Sequence, residues 1–133
     1  MRKYLYLIIL LATIISCTDK KEQNLGNTIY VSIEPLRYFA EQIGGDKFNV
    51  KSLVRHGSSP ETYEPTAEQI AELSKCCMYI KVGNLGFEQT WLKRIMKNAP
   101  HTIINSASDG ISEVNSANGI PDPHTWMSTA NAA

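Results

Sequence analysis

Two loops of this sequence carry side chains that can bind a divalent metal ion. Glu61 lies between Pro60 and Pro65, which can fix the backbone of a loop without secondary structure. His124 comes two residues after Asp122, whose carboxylate could accept a hydrogen bond from the ring nitrogen that faces away from a metal. Carboxylate oxygen and imidazole nitrogen are both zinc ligands. Each pattern alone is weak, because Glu61 could lie in a solvated loop and His124 could have a structural role.

A third loop, Gly-Asn-Leu-Gly-Phe-Glu at residues 83–88, lies between these two in the sequence. It contains no G-x-G-x-x-G or P-loop pattern, so phosphate binding is not indicated. Its glycines permit a tight turn near a ligand, and Phe87 is expected to pack over that ligand. We expect Tyr63 and Trp126, which stand beside the two candidate ligands, to line the same cleft.

These loops are positioned by an alternation of strands and helices. Strands are predicted at residues 28–33, 48–54, 78–82 and 102–104. Helices are predicted after Pro35, after a cap at Thr66 and around residues 91–96, the first with an apolar stripe of Leu36, Phe39, Ala40 and Ile43. The pattern predicts an α/β fold, a single lobe with a mainly parallel four-stranded sheet flanked by helices. Ligands of such sheets bind beyond the carboxyl ends of the strands, where all three loops lie.

Composition excludes several other functions. The 133 residues contain 13 basic and 13 acidic side chains, without a basic patch that would indicate nucleic acid. Cys76 and Cys77 are adjacent, so they form neither a disulfide framework nor a C-x-x-C site, and we expect small buried side chains before a strand. His56 and His101 lie outside the three loops and are expected at the surface or in packing roles.

The amino-terminal residues have the pattern of an export signal. Arg2 and Lys3 precede an apolar stretch, residues 4–15, that is too short for a membrane-spanning helix. The following Ser16-Cys17 resembles the lipobox of bacterial lipoproteins, in which the cysteine is lipidated. We therefore predict a signal peptide over residues 1–16, a flexible tether over residues 17–27 and a lobe over residues 28–133. The protein is expected to be exported and anchored through Cys17 on the periplasmic or cell-surface side of a membrane.

Three motifs in order resemble those of the zinc/manganese-type solute-binding proteins of bacterial ABC importers. They are Ser-Pro-Glu-Thr-Tyr-Glu-Pro-Thr (residues 59–66), Val-Gly-Asn-Leu-Gly-Phe-Glu (82–88) and Asp-Pro-His-Thr-Trp-Met-Ser (122–128). The resemblance covers residues 28–133 and only the amino-terminal half of a family member. It implies two α/β lobes joined by a long helix, with two metal ligands from each lobe. The chain stops where that helix is expected to begin, so we expect a truncated protein.

The resemblance implies that His124 is one metal ligand. Glu61 stands where the family has a histidine, in a Pro-His-x-Tyr-Glu-Pro-Thr context, and this departure favours harder ions such as manganese or iron. Zinc, the commonest cargo implied by the family, stays the first candidate. The implied partner is a membrane permease, and the complete protein is expected to be a monomer that performs no bond chemistry.

Two other functions are compatible with parts of this pattern. In a metal-dependent hydrolase, Glu61 would act as general base beside a metal-bound water, but no H-E-x-x-H or three-ligand cluster accompanies it. In a surface adhesion lipoprotein, metal binding would be incidental. Turnover of an ester or phosphodiester would favour the first alternative, and chelator-insensitive cell-surface binding would favour the second.

Overall fold

The computed structural model describes residues 25–111, 119, 122 and 124–131, and the predicted signal peptide, tether and Cys17 largely lie outside them. The strands are β1 (Thr28–Val31), β2 (Asn49–Ser52), β3 (Met78–Lys81) and β4 (Ile103–Ser106). The helices are α1 (Glu34–Gly44), α2 (Ala67–Leu73) and α3 (Lys93–Lys97), the last entered through a π-helical turn, Glu88–Leu92. Short 3-10 helices occupy Gly45–Lys47 and Thr125–Met127.

All four strands are parallel and lie in the order β2-β1-β3-β4. The predicted α/β fold with a parallel four-stranded sheet is confirmed. Since parallel strands end at the same edge, the loops after β2, β3 and β4 leave the sheet on one side. The order reverses between β1 and β3, which makes the carboxyl ends of these two strands the switch point of the sheet.

The loop after β2 is tied to helix α2 through Gln69. The Thr66 hydroxyl accepts a hydrogen bond from the Gln69 amide at 3.2 Å, and Gln69 Oε1 accepts one from the Thr66 amide at 3.0 Å, which completes a capping box. Gln69 Nε2 donates to the Leu53 carbonyl at 2.8 Å, and the Tyr63 hydroxyl donates to Gln69 Oε1 at 2.9 Å. One side chain therefore holds the start of the helix, the end of the strand and the middle of the loop together.

The core lies on both faces of the sheet and is closed by the loops at its carboxyl edge. Each core residue has less than a tenth of its surface exposed. The largest fully buried side chains are those of Tyr79, Phe87, Leu53, Leu73, Leu85 and Ile95. Cys76 is buried and Cys77 half-buried just before β3, as expected. His56 and His101 are exposed, also as expected.

Two expectations differ from the structure. Ile43 is expected on the buried stripe of α1, but it lies in the last turn of the helix, after the last buried residue, Ala40, and 88% of its surface is exposed. A helix was expected from residue 128 onward, whereas residues 129–131 form a turn closed by the Asn131 amide on the Ser128 carbonyl at 3.1 Å. Across the residues that the structure describes, no helix is both long enough and apolar enough to cross a membrane.

Candidate metal centre

The loop after β2 packs directly onto the loop after β3, and Glu61 lies at this contact. The Gly86 amide donates a hydrogen bond to Glu61 Oε2 at 3.1 Å, and the Phe87 amide donates to the Pro60 carbonyl at 3.3 Å. The Glu61 amide in turn donates to the Ser59 hydroxyl at 3.4 Å. The Glu61 side chain is exposed, so one carboxylate oxygen is held by the protein while the carboxylate still faces solvent.

Glycine at residue 86 is what allows this close approach. A Cβ atom at Gly86 would lie 2.5 Å from the Glu61 carbonyl oxygen and 2.8 Å from Glu61 Oε2. Such distances are far inside van der Waals contact, so any other residue would separate the two loops. The glycine spacing noted in the sequence is thus explained by loop contact rather than by phosphate binding.

A buried carboxylate, that of Glu88, holds the loop after β3 from the side of the loop that faces the core. Glu88, with 4% of its surface exposed, accepts hydrogen bonds at Oε1 from the Val82 amide at 2.8 Å and from the Ser32 hydroxyl. Its Oε2 accepts from the amides of Gly83 at 2.8 Å and Leu85 at 3.4 Å. Four donors therefore surround one carboxylate at the switch point of the sheet, and they compensate for its removal from water.

Tyr79 completes this buried network. Its hydroxyl lies 2.8 Å from the Ser32 hydroxyl. Because the single Ser32 proton is donated to Glu88, the Tyr79 hydroxyl must be the donor in this contact. Burial raises the pKa of Tyr79, so its hydroxyl stays protonated and keeps that role.

His124 is oriented by Asp122. Asp122 Oδ1 lies 2.7 Å from His124 Nδ1 and also accepts from the His124 amide at 2.9 Å. The backbone hydrogen bond from His124 has the larger effect and the side-chain one the smaller, and both lower the pKa of Asp122. Its carboxylate is therefore ionised at neutral pH and can only accept hydrogen bonds. Nδ1 must therefore carry a proton, and Nε2 is the lone-pair nitrogen of the neutral ring. This is the arrangement that prepares an imidazole for metal binding.

Trp126 lies between the loop after β4 and the loop after β2. Its ring centroid is 5.2 Å from that of His124. It lines a cavity of about 200 Å³ together with Pro60 and the exposed His56. It also lines a second cavity of about 310 Å³ with Phe39 and Ile43 of α1. Trp126 thus lies beside the His124 ring, and its place in a metal-binding cleft stays a prediction.

Tyr63 and Phe87 have different roles from those expected. Phe87 has 1% of its surface exposed and belongs to the core. Its ring packs edge-on against the ring of Tyr63, with 6.2 Å between the ring centroids. It supports the loop from within and does not cover an open cleft. Tyr63 is half-buried and its hydroxyl is used by Gln69, so it too acts in fixing the loop.

The candidate ligands do not form a complete metal site within the described residues. Among residues 25–111, 119, 122 and 124–131, no three His, Cys, Asp or Glu side chains form a group that could hold a metal ion. The sequence pattern did not indicate Ser32 or Glu88 as functional candidates. The signal for Glu88 was its motif position six residues after Val82, but an acidic residue beside a helix start is common and did not stand out.

Comparison with known proteins finds similar chains among metal-transport proteins. The lipoprotein SsaB of Streptococcus sanguinis, a metal ABC transporter substrate-binding protein, is 26% identical over 94% of this chain and 44% of its own length. The iron ABC transporter substrate-binding lipoprotein MtsA of Streptococcus pyogenes serotype M1 is 33% identical over 67% of this chain and 32% of its own length. A crystal structure of ZnuA matches with a TM-score of 0.72 and 38% identity, over 78% of this chain and 40% of that one.

This chain spans less than half the length of each of these relatives. The resemblance seen in the three motifs is confirmed by a family model, "Zinc-uptake complex component A periplasmic", which matches residues 29–133. Because the match covers most of the chain, the protein belongs to this ZnuA family.

Proposed function

We propose that this protein captures a divalent metal ion outside the cytoplasm and delivers it to the permease of an ABC importer. Glu61 and His124 are the proposed ligands from this lobe. Zinc is the first candidate cargo, with manganese and iron as alternatives. The protein acts by binding and release, without bond chemistry.

The observation that carries this proposal is that both candidate ligands are held in the same way. Glu61 Oε2 accepts the Gly86 amide, and His124 Nδ1 donates to Asp122. In each side chain a second atom, Oε1 of Glu61 or Nε2 of His124, remains available to coordinate a metal ion. Ligands oriented by hydrogen bonds at their other atom are typical of metal sites.

The choice of metal depends on Glu61. Exchanging an imidazole for a carboxylate makes a site harder and favours manganese or iron over zinc relative to a histidine site. The relative MtsA belongs to an iron transporter, whereas the matching family is described by zinc uptake. A carboxylate is still an acceptable zinc ligand, so zinc is kept first.

We expect the remaining ligands to come from a second lobe of a longer protein. Two ligands leave a tetrahedral shell half filled with water, so residues 28–133 should bind metal weakly by themselves. In this proposal residues 1–16 are a signal peptide, residues 17–27 a tether, and Cys17 carries the lipid that holds the lobe at the membrane beside the permease.

Calorimetric titration of the full 133-residue chain in detergent, with Zn²⁺ and then Mn²⁺, tests the site. Weak binding should be lost in Glu61→Ala and in His124→Ala. The matched controls are Glu68→Ala and His101→Ala, which change an exposed carboxylate and an exposed imidazole elsewhere. Binding that survives both ligand variants, or is lost equally in the controls, would move the site away from these residues.

A further inference from the structure

We infer that Glu88 is a positioning residue for the metal ligand Glu61, acting through the loop after β3. This inference rests on the proposed function, since it assigns a role toward a proposed ligand. It concerns a buried carboxylate that never touches the metal.

The contacts run without interruption from the core to the surface. Glu88 accepts the amides of Val82, Gly83 and Leu85, which are three of the four residues that follow β3. The next amide, that of Gly86, points the other way and donates to Glu61 Oε2 at 3.1 Å. The loop is therefore fixed on its inner side by one carboxylate, and its Gly86 amide donates to another.

The inner contact is rigid for a physical reason. Ser32 adds a fourth hydrogen bond to Glu88, and Tyr79 holds Ser32 in turn. Hydrogen bonds to an ionised acceptor are about twice as strong as neutral ones, and in a buried site they are not shared with water. The position of the Gly86 amide is consequently set by buried groups rather than by the exposed surface of the loop.

The consequence for Glu61 is its mode of ligation. With Oε2 engaged by the Gly86 amide, Oε1 is the oxygen presented to a cation, so Glu61 acts as a one-oxygen ligand. A one-oxygen carboxylate occupies one position, as the histidine of the family motif would, and leaves the coordination number unchanged. Loss of the Gly86 contact would let the carboxylate rotate and would remove this constraint.

Glu88→Gln is the test, because it keeps the size of the side chain while replacing one acceptor oxygen by an NH₂ group. Whichever way the amide turns, that NH₂ must face at least one backbone N–H. The matched control is Glu68→Gln at an exposed carboxylate of α2. Both variants of the full chain are compared with wild type and with Glu61→Ala.

The first readout is the proton chemical shift of the Gly86 amide by NMR without metal. In Glu88→Gln the shift should move toward its value in Glu61→Ala, whereas Glu68→Gln should leave it in place. The second readout is affinity in Zn²⁺ and Mn²⁺ titrations. Loss of groups that orient ligands typically costs about 10–100-fold, and we expect about tenfold weaker binding for Glu88→Gln.

These readouts separate two failures. If Glu61→Ala binds metal as wild type does, the proposed function fails, and the inference fails with it. If Glu61→Ala loses binding while Glu88→Gln keeps the Gly86 shift and binds within twofold of Glu68→Gln, only the inference is overturned. A lower melting temperature by itself would then mark Glu88 as purely structural.

A second variant covers the case in which Glu88→Gln does not fold. Ser32→Ala removes one of the four donors and leaves the three backbone hydrogen bonds in place. The Gly86 shift and the metal affinity should change in the same direction but by less. No change in either quantity would overturn the inference.

Discussion

Nδ1 of His124 and Oδ1 of Asp122 lie 2.7 Å apart, and the same oxygen also accepts the His124 amide at 2.9 Å. The imidazole is thereby fixed in rotation and in tautomer, although the ring itself is exposed. Orientation of an exposed ring costs side-chain entropy, which the two hydrogen bonds offset in advance of binding. The Nε2 atom of His124 is therefore oriented in advance toward any cation that approaches it.

Removing the Asp122 carboxylate should weaken metal binding without abolishing it. In Asp122→Ala the ring of His124 can rotate and can place its proton on Nε2, so we expect about tenfold lower affinity for Zn²⁺ by calorimetry. Asp109→Ala, at another exposed aspartate of the loop after β4, is the control. Unchanged affinity in Asp122→Ala, together with loss of binding in His124→Ala, would show that the hydrogen bond has no role in binding.

Restoring the family histidine at residue 61 should change metal preference. Glu61→His replaces a hard oxygen by imidazole nitrogen, so the ratio of Zn²⁺ to Mn²⁺ affinity should rise. Competition titrations with both ions on wild type and variant measure that ratio directly. Glu68→His, an exposed exchange outside the loop, should leave the ratio as it is. A ratio that falls in Glu61→His would contradict the assignment of Glu61 as ligand.

The fold could be predicted because its signals are local. Alternation of strands and helices and the cap at Thr66 each depend on a few adjacent residues, and the structure confirms them. The end of the second strand was less well defined. Leu53 and Val54 lie beyond β2, yet their amides still bond to the carbonyls of Val31 at 2.8 Å and Ser32 at 3.0 Å. Burial and the hydrogen bonds to the neighbouring chain segment therefore continue past the last residue of the regular strand.

The buried network could not be predicted for the opposite reason. Ser32 and Glu88 are 56 residues apart, and only the adjacency of β1 and β3 brings them together. Seen locally, Glu88 is an acidic residue near a helix start, and Ser32 is a small polar residue after a strand. The exposure of Ile43 could not be predicted either, since helical periodicity gives the face of a helix but not how far along the helix that face stays covered.

A surface carboxylate should account for part of the loss of stability in acid. The Tyr30 hydroxyl donates a hydrogen bond to the Glu72 carboxylate at 2.5 Å, and the Lys51 ammonium donates one at 3.0 Å. The Tyr30 contact has the larger effect and the Lys51 contact the smaller, and both lower the pKa of Glu72 from the ordinary 4.5. A pKa lower in the folded state than in the unfolded state adds stability above the unfolded value. That stability is lost as pH falls through the folded value.

Glu72→Gln should therefore be less stable than wild type at pH 6, and the difference should shrink as pH falls from about 5 toward about 3. Urea denaturation at a series of pH values measures it. Glu68→Gln on the same exposed side of α2 provides the comparison. A difference between Glu72→Gln and wild type that is constant across this range would exclude the pKa explanation.

Gly83 is a second position where the loop after β3 cannot accept a side chain without strain. Its φ is +135°, in a region that L-residues rarely adopt, and a Cβ atom there would lie 2.4 Å from the Ser108 hydroxyl. The Gly83 amide also donates to Glu88 at 2.8 Å, so the backbone cannot relax without breaking that bond. Backbone strain and steric overlap therefore act at the same residue.

We expect Gly83→Ala to lower the free energy of unfolding by about 1–3 kcal/mol, the usual cost of a non-glycine residue in such a conformation. Gly26→Ala is the matched control, because its Cβ would meet no atom within 4 Å. Gly83→Ala combined with Ser108→Gly separates the two causes. Recovery of most of the loss would assign it to the clash with Ser108, whereas persistence of the loss would assign it to the backbone angle. Stability equal to that of Gly26→Ala in the single variant would contradict both, because the loop would then have to accept a Cβ while keeping its bond to Glu88.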